Sequence, residues 1–191
     1  MRNWIVAALC MLLPITAMAQ TGGIVTLYAL DPVASAFSFG TGVYGHVVRD
    51  GVARNRESDI DFGQYGVDQF SVGVEGSRLG AIVDLGTVAE LQGRYGYPET
   101  VGMPQGFSSL RMAGGKIVIG ANYRTGAVQP LKEAELLAAT KATAQKAVIR
   151  GHIYLVRITD PQNTAFERIA KFLVLDHQPG ASATLRWDLL K

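Results

Sequence analysis

The chain has 191 residues and a nearly balanced charge, with 18 lysines and arginines against 16 aspartates and glutamates. The chain also has no run of basic residues. It therefore lacks the concentrated positive charge that nucleic-acid binding requires, and we expect no nucleic-acid partner. The single cysteine, Cys10, lies in a segment that we predict to be removed. Disulfides, thiol nucleophiles and cysteine metal sites are then excluded from the remaining chain.

Residues 1–19 have the pattern of a secretory signal peptide. A positive start at Arg2 precedes an apolar run, and Ala17-Met18-Ala19 supplies the small residues that a signal peptidase requires. The apolar run is shorter than the roughly 20 residues that span a bilayer. We therefore predict cleavage after Ala19, export to the periplasm or the extracellular space, and one β-rich domain over residues 20–191.

Short strand-like runs, closed mainly by glycine or proline, follow the predicted cleavage point. They read "GIVTLYAL", "SAFSFG", "GVYGHVVRDGVAR", "SDIDFG", "FSVGVEG", "LGAIVDLG" and "KIVIGANY". Asp50-Gly51 favours the positive φ angles of a tight hairpin turn. Many short strands with glycine turns predict an all-β fold, an antiparallel β-sandwich or a partly open barrel.

Residues 130–147 break this pattern with "PLKEAELLAATKATAQKA". Pro130 suits a first helical turn, and Glu133 and Glu135 lie near the end where the helix dipole favours acidic side chains. We predict one surface helix here, packed lightly on a sheet because its apolar face is mostly alanine.

The last third of the chain predicts an antiparallel meander. In "SATLRWDL", residues 183, 185, 187 and 189 fall on one face and the polar residues fall on the other, which is the period of a half-buried strand. Gln178-Pro179-Gly180 has the order that a type II turn favours.

His152 and His177 lie at the ends of two of these predicted strands. If the hairpin register paired 152 with 177, both imidazoles would lie side by side, in an arrangement that suits a transition metal or axial haem ligation. A register pairing 152 with 176 would place them on opposite faces. The alternative is that both are ordinary strand-end residues. His46 belongs to another strand.

The stretch "QGRYGYPETVGMPQGF" (92–107) predicts a long aromatic loop. Arg94, Tyr95, Tyr97 and Phe107 would form a ligand-binding surface, because loops on a β scaffold carry function and tyrosines supply amphipathic contacts. In the alternative, the loop packs its rings over the edge of a sheet.

The stretch "ESDIDFGQYGVD" groups Glu57, Asp59, Asp61 and Asp68. Asp59 and Asp61 share a strand face and could contribute to a calcium site, although the spacing does not match the regular calcium loop. We favour a solvated strand face that pairs with the nearby arginines at 54 and 56.

The segments "FSFGTG", "SDIDFG", "GAIVDLG", "GHIYLVRITD", "IAKFLVL" and "TLRW" follow one another in an order that resembles HmuY-like secreted bacterial β-domains. The resemblance covers roughly residues 35–189. It implies an exported all-β domain, and it implies haem as a candidate cofactor because some members of that family bind haem through two histidines.

No G-x-S-x-G, H-E-x-x-H or phosphate-loop motif is present, which argues against an enzyme. We expect an exported, non-catalytic binding or structural module whose partner is a small molecule, a glycan or a protein. The alternatives are a haem or metal carrier that uses His152 and His177, and a secreted hydrolase built from scattered Ser, Asp or His residues.

Overall fold

The computed structural model describes residues 21–45, 48–49, 52–53, 58–73, 78–96, 107, 109–120, 128–138 and 143–191. In these residues, every strand pairing is antiparallel. The strands are β1 Gly22–Tyr28, β2 Ala36–Ser38, β3 Val43–Tyr44, β4 Val48–Arg49, β5 Val52–Ala53, β6 Ile60–Phe62, β7 Gln69–Val72, β8 Leu79–Thr87, β9 Arg111–Ala113, β10 Lys116–Ile119, β11 Gln129–Pro130, β12 Gln145–Ala147, β13 His152–Asp160, β14 Asn163–Gln178 and β15 Ser182–Leu189. The described helices are α1 Val88–Tyr95 and a 3₁₀ helix, Lys132–Leu137.

Two five-stranded sheets form the predicted sandwich. Sheet A has the order β1-β15-β14-β13-β8, and sheet B has the order β12-β7-β6-β2-β3. Their facing side chains form a core rich in aromatic rings, including Phe70, Phe172 and Trp187. Both strand orders are open, so the described strands form a sandwich and not a closed barrel, which confirms the all-β antiparallel prediction.

A second layer covers the opposite face of sheet A. It consists of the three-stranded sheet β11-β10-β9 together with α1 and the 3₁₀ helix, and it encloses a second core. Strand β13 therefore contributes Tyr154 and Val156 to the first core, and Ile153 and Leu155 to the second. A strand buried on both faces reads as a continuous apolar run, which explains the sequence "IYLV".

Sheets A and B meet where β7 passes β8. A Cβ atom placed on Gly80 would lie 2.1 Å from the carbonyl oxygen of Val72, and one placed on Gly73 would lie 2.4 Å from the backbone nitrogen of Gly80. Only residues without a side chain allow this approach of the two backbones. The two glycines thus fix how this side of the sandwich closes.

Three local predictions are confirmed. Residues 183, 185 and 187 of β15 are buried in the first core, with Leu189 packed against it. The N–H of Ala181 donates to the carbonyl of Gln178 at 2.9 Å, and Gly180 has a φ of 68°, as a type II turn requires. Strands β4 and β5 pair on either side of residues 50 and 51, as the predicted hairpin requires.

The helix predicted over residues 130–147 is much shorter than expected. Among the described residues of this span, the helical ones are those of the 3₁₀ helix, whose N-cap residue Leu131 makes no side-chain capping bond. At the other end of the span, β12 pairs with β7 at the edge of sheet B. Tertiary pairing of this edge strand outweighs the helix propensity of its residues. Residues 139–142 lie outside the described part.

Helix α1 was not predicted, although the sequence carries its signals. Thr87 accepts a hydrogen bond from the backbone N–H of Glu90, and the Glu90 side chain accepts one from the backbone N–H of Thr87, which is the capping box. Gly96 ends the helix in the left-handed conformation. The pattern T-x-x-E followed by a glycine six residues later would have located this helix.

Candidate functional site

An open groove of about 440 Å³ lies between sheet A and the second layer. Its volume is within the range of small-molecule sites. Eight of its fourteen lining residues are apolar, and five are charged. We call this cavity the groove; its lining residues are Met112, Gly115, Lys116, Ile117, Pro130, Leu131, Ala134, Glu135, Leu137, Ala138, Arg157, Glu167, Ile169 and Lys191.

The register of the β13–β14 hairpin places charged side chains at one end of the groove. Arg157 lies opposite Ile169. Glu167 lies two residues before Ile169 in β14, so the side chains of these two residues share one face of the strand. This face points toward the second layer, since Ile169 belongs to the second core. Along this face, charged residues thus replace apolar ones toward the β13–β14 turn.

Arg157, Glu167 and Lys191 form a network that we call the ion triad. Nε of Arg157 donates to Oε1 of Glu167 at 2.6 Å, and Nζ of Lys191 donates to Oε2 of the same carboxylate. Lys191 and then Arg157 hold the pKa of Glu167 below its usual value. The carboxylate is therefore ionised at neutral pH, with a donor on each oxygen.

A second depression of about 400 Å³ lies on the other side of the ion triad and shares all three of its residues. We call it the hollow. Its remaining lining is more polar and comes from the β13–β14 turn and the start of β8: Leu79, Thr159, Asp160, Pro161, Thr164, Ala165 and Phe166. The groove and the hollow thus adjoin one another across the ion triad.

His152 and His177 each contact a different carboxylate. Ile153 pairs with Leu173, so position 152 lies opposite 174, and the 152–177 register that would place the imidazoles side by side is not adopted. Nδ1 of His152 lies 3.0 Å from both oxygens of Asp84. Nε2 of His177 lies 3.0 Å from Oδ1 of Asp68. Haem or metal ligation by this pair stays a prediction, and His46 lies outside the described residues.

Phe107 is buried, at 1 % exposure, whereas we had predicted that it belongs to an exposed aromatic surface. The ammonium of Lys171 lies 4.4 Å from the centre of its ring and donates to its backbone carbonyl. Burial lowers the pKa of Lys171, and the carboxylate of Asp188, 3.2 Å away, opposes that shift. The ring covers a buried cation on the second-layer face of sheet A.

Tyr95 is also buried, and its hydroxyl is used inside the fold. It accepts the N–H of Lys132 at 3.0 Å and donates to Glu133, which Arg94 also contacts through Nε at 3.1 Å. These contacts fasten α1 to the 3₁₀ helix. Tyr97 lies outside the described residues. Tyr95 and Phe107 thus both pack in the second core, and ligand binding by Arg94, Tyr95, Tyr97 and Phe107 stays a prediction.

The acidic stretch is not a solvated face, because Asp59 and Asp61 are 1 % and 2 % exposed. Nη1 of Arg168 lies 2.8 Å and 2.6 Å from the two oxygens of Asp59, and the N–H of Phe39 donates to it at 2.8 Å. Burial raises the pKa of Asp59, while Arg168 and Phe39 act against that rise. The partner is 109 residues away, so no local sequence pattern announces it. Residues 54, 56 and 57 lie outside the described part.

Comparison with protein-family models, with curated proteins and with solved structures found no match to this chain. The resemblance to HmuY-like domains therefore stays a prediction. In the described part of the chain, no three His, Cys, Asp or Glu side chains are grouped so that they could hold a metal ion. The helices described above include none that is long and apolar enough to cross a membrane.

Proposed function

We propose that the chain is an exported, non-catalytic binding module that holds a small, partly apolar molecule in the groove. The observation that carries this proposal is the groove itself, a concave surface of about 440 Å³ with an apolar floor and an ion triad at one end. Small-molecule sites combine such an apolar lining with a few polar groups that orient the ligand.

The two histidines and Asp59 lie outside the groove and the hollow. Asp59 uses both of its oxygens in contacts with Arg168, whereas His152 and His177 each use one ring nitrogen, Nδ1 and Nε2, for a carboxylate of another segment. A catalytic base needs an unused hydrogen-bonding position directed at a substrate proton, and neither ring faces one of these two cavities. The groove is thus a stronger candidate site than any of these three residues.

Filling the groove tests the proposal. Ala134 lies in the groove on the 3₁₀ helix, so Ala134→Trp places a large ring in the cavity. Ala181→Trp, in the exposed β14–β15 turn, is the matched control. The probe is N-phenyl-1-naphthylamine, an uncharged dye that fluoresces when it leaves water.

We expect a saturable fluorescence increase with the natural chain and with Ala181→Trp, and an affinity at least tenfold weaker for Ala134→Trp. Far-ultraviolet circular dichroism checks that both variants are folded. Equal binding by all three proteins, or binding by none of them, would show that the groove is not a ligand site.

Export is the second part of the proposal and rests on residues 1–19. Expressing the full chain in a bacterium and sequencing the N-terminus of the exported protein should identify Gln20 as the first residue. Ala19→Arg removes the small residue before the cleavage point and should leave the precursor uncut. A mature protein that retains Met1 in the cytoplasm contradicts this part alone.

A further inference from the structure

We propose that the ligand of the groove is a single-chain carboxylate amphiphile, with its alkyl chain on the apolar floor and its carboxylate against Arg157 and Lys191. This inference rests on the proposed function and adds the chemical class of the ligand. It is carried by how hydrogen-bond donors and acceptors are distributed in the ion triad.

The lining of the groove carries more cationic than anionic side chains, three against two: Lys116, Arg157 and Lys191 against Glu135 and Glu167. Glu167 already accepts a hydrogen bond on each of its oxygens, one from Arg157 and one from Lys191. Arg157 uses only Nε for this contact, and its Nη1 and Nη2 make no hydrogen bond to any other described residue. Two cations thus share one carboxylate, and the other charged side chains of the groove, Lys116 and Glu135, are of opposite sign, so the net charge of the lining favours an anion.

A guanidinium fork matches a carboxylate better than it matches other small polar groups. Two parallel N–H groups bind two oxygens in one plane, which supplies orientation as well as affinity. A cationic head group would have to compete with Arg157 and Lys191 for Glu167, or use Glu135, the other carboxylate of the groove, which is not part of the ion triad. An uncharged head group would accept hydrogen bonds from Arg157 and Lys191 but would lack the attraction between opposite charges.

The position of the triad suits the carboxylate of an amphiphile. On one side lies the floor of Met112, Ile117, Leu137 and Ile169 in the groove, which offers contact to an alkyl chain. On the other side lies the hollow, with its threonines and open access to solvent. A carboxylate at this boundary keeps part of its hydration and avoids the full cost of burying a charge.

Isothermal titration calorimetry with three probes of equal chain length tests the inference: decanoate, decan-1-ol and decyltrimethylammonium. Each is titrated into the natural chain, Arg157→Gln and Arg150→Gln. Arg150 is a matched control because its side chain is exposed and lies outside the groove and the hollow.

We expect decanoate to bind the natural chain and Arg150→Gln equally, and to bind Arg157→Gln about tenfold more weakly, since a charge-assisted hydrogen bond is lost. Decan-1-ol should bind more weakly than decanoate and should distinguish the three proteins less than decanoate does. Decyltrimethylammonium should bind weakest.

Equal affinity for decanoate and decan-1-ol, both lost in Ala134→Trp, overturns the carboxylate inference and leaves the groove as a binding site. Tightest binding by the cation overturns it as well. If none of the three probes binds, the inference fails, and the naphthylamine experiment then decides separately whether the groove binds any ligand.

Discussion

Replacing Asp59 by asparagine tests whether the buried ion pair with Arg168 holds sheet B against sheet A. Asparagine keeps the shape and one acceptor oxygen for the N–H of Phe39. It removes the charge and directs an amide group at the guanidinium of Arg168, whose side chain is only 16 % exposed. The buried cation then lacks its partner.

The magnitude follows from the contacts. The contact of Arg168 with one oxygen is lost, and its contact with the other oxygen, which Phe39 also uses, becomes a hydrogen bond to an uncharged acceptor. A charge-assisted hydrogen bond contributes about 1.5 to 3 kcal/mol, and breaking a buried pair costs about 3 to 5 kcal/mol. Because Arg168 reaches some solvent, we expect a loss of about 3 kcal/mol in the free energy of unfolding. For a domain of this size the melting temperature falls by roughly 6 to 12 °C.

Urea unfolding followed by tryptophan emission measures this loss. Residues 20–191 contain one tryptophan, Trp187, which lies buried in the first core and reports directly on the sandwich. Asp176→Asn is the control, since this half-exposed carboxylate lies 3.9 Å from Arg150 and should contribute less than about 0.5 kcal/mol.

A double-mutant cycle with Arg168→Gln completes the test. Once Asp59 is replaced, Arg168→Gln removes a cation that no longer has its partner, so the double variant should be more stable than the sum of the single losses predicts. Strict additivity, or a loss below about 0.5 kcal/mol in Asp59→Asn, would refute the assignment of this pair as a clamp between the sheets.

Three further predictions concern the same framework. Gly40→Ala should cost about 1 to 3 kcal/mol in urea unfolding, because the new Cβ would lie 2.1 Å from Nη2 of Arg168, and this cost should shrink in the Arg168→Gln background. Gly80→Ala should cost at least about 3 kcal/mol or prevent folding, because its Cβ would meet backbone atoms of Val72. Its control, Gly93→Ala in α1, should stabilise the protein by about 0.5 to 1 kcal/mol. Similar effects of the two substitutions on the melting temperature would contradict the close approach of β7 and β8. A hydrogen bond from the N–H of Gly180, and then the contact with His177, lower the pKa of Asp68. The Asp68 carboxylate therefore stabilises the fold fully above its unfolded-state pKa near 3.8, and this stabilisation is lost as the pH falls through the lower folded-state pKa. Asp68→Asn, which tolerates the φ of 54° at this position, should therefore be less stable than the natural chain by about 0.5 to 1 kcal/mol at pH 7 and nearly equal to it at pH 2; a difference that does not change between these pH values would show that the charge is not involved.

The sequence alone determined the features that depend on neighbouring residues. The alternation in β15, the Pro-Gly turn before it and the Asp50-Gly51 hairpin are local, because side-chain period and turn conformation are set within a few residues. The all-β class followed from the repetition of such signals along the chain. The capping box of α1 is equally local, so sequence analysis had the means to find that helix as well.

Tertiary structure decided what depends on residues far apart in the chain. The sequence predicted a surface position for Asp59, but the fold places Arg168 beside it. It likewise predicted an exposed ring for Phe107, but the fold places the ammonium of Lys171 against that ring. The β13–β14 register, which shifts at an irregularity between Thr159 and Asp160, separated His152 from His177 and aligned Arg157 with Ile169. The groove needs the second layer to cover one face of sheet A, and the burial of strands on both faces is a property of the assembled layers and not of any one segment.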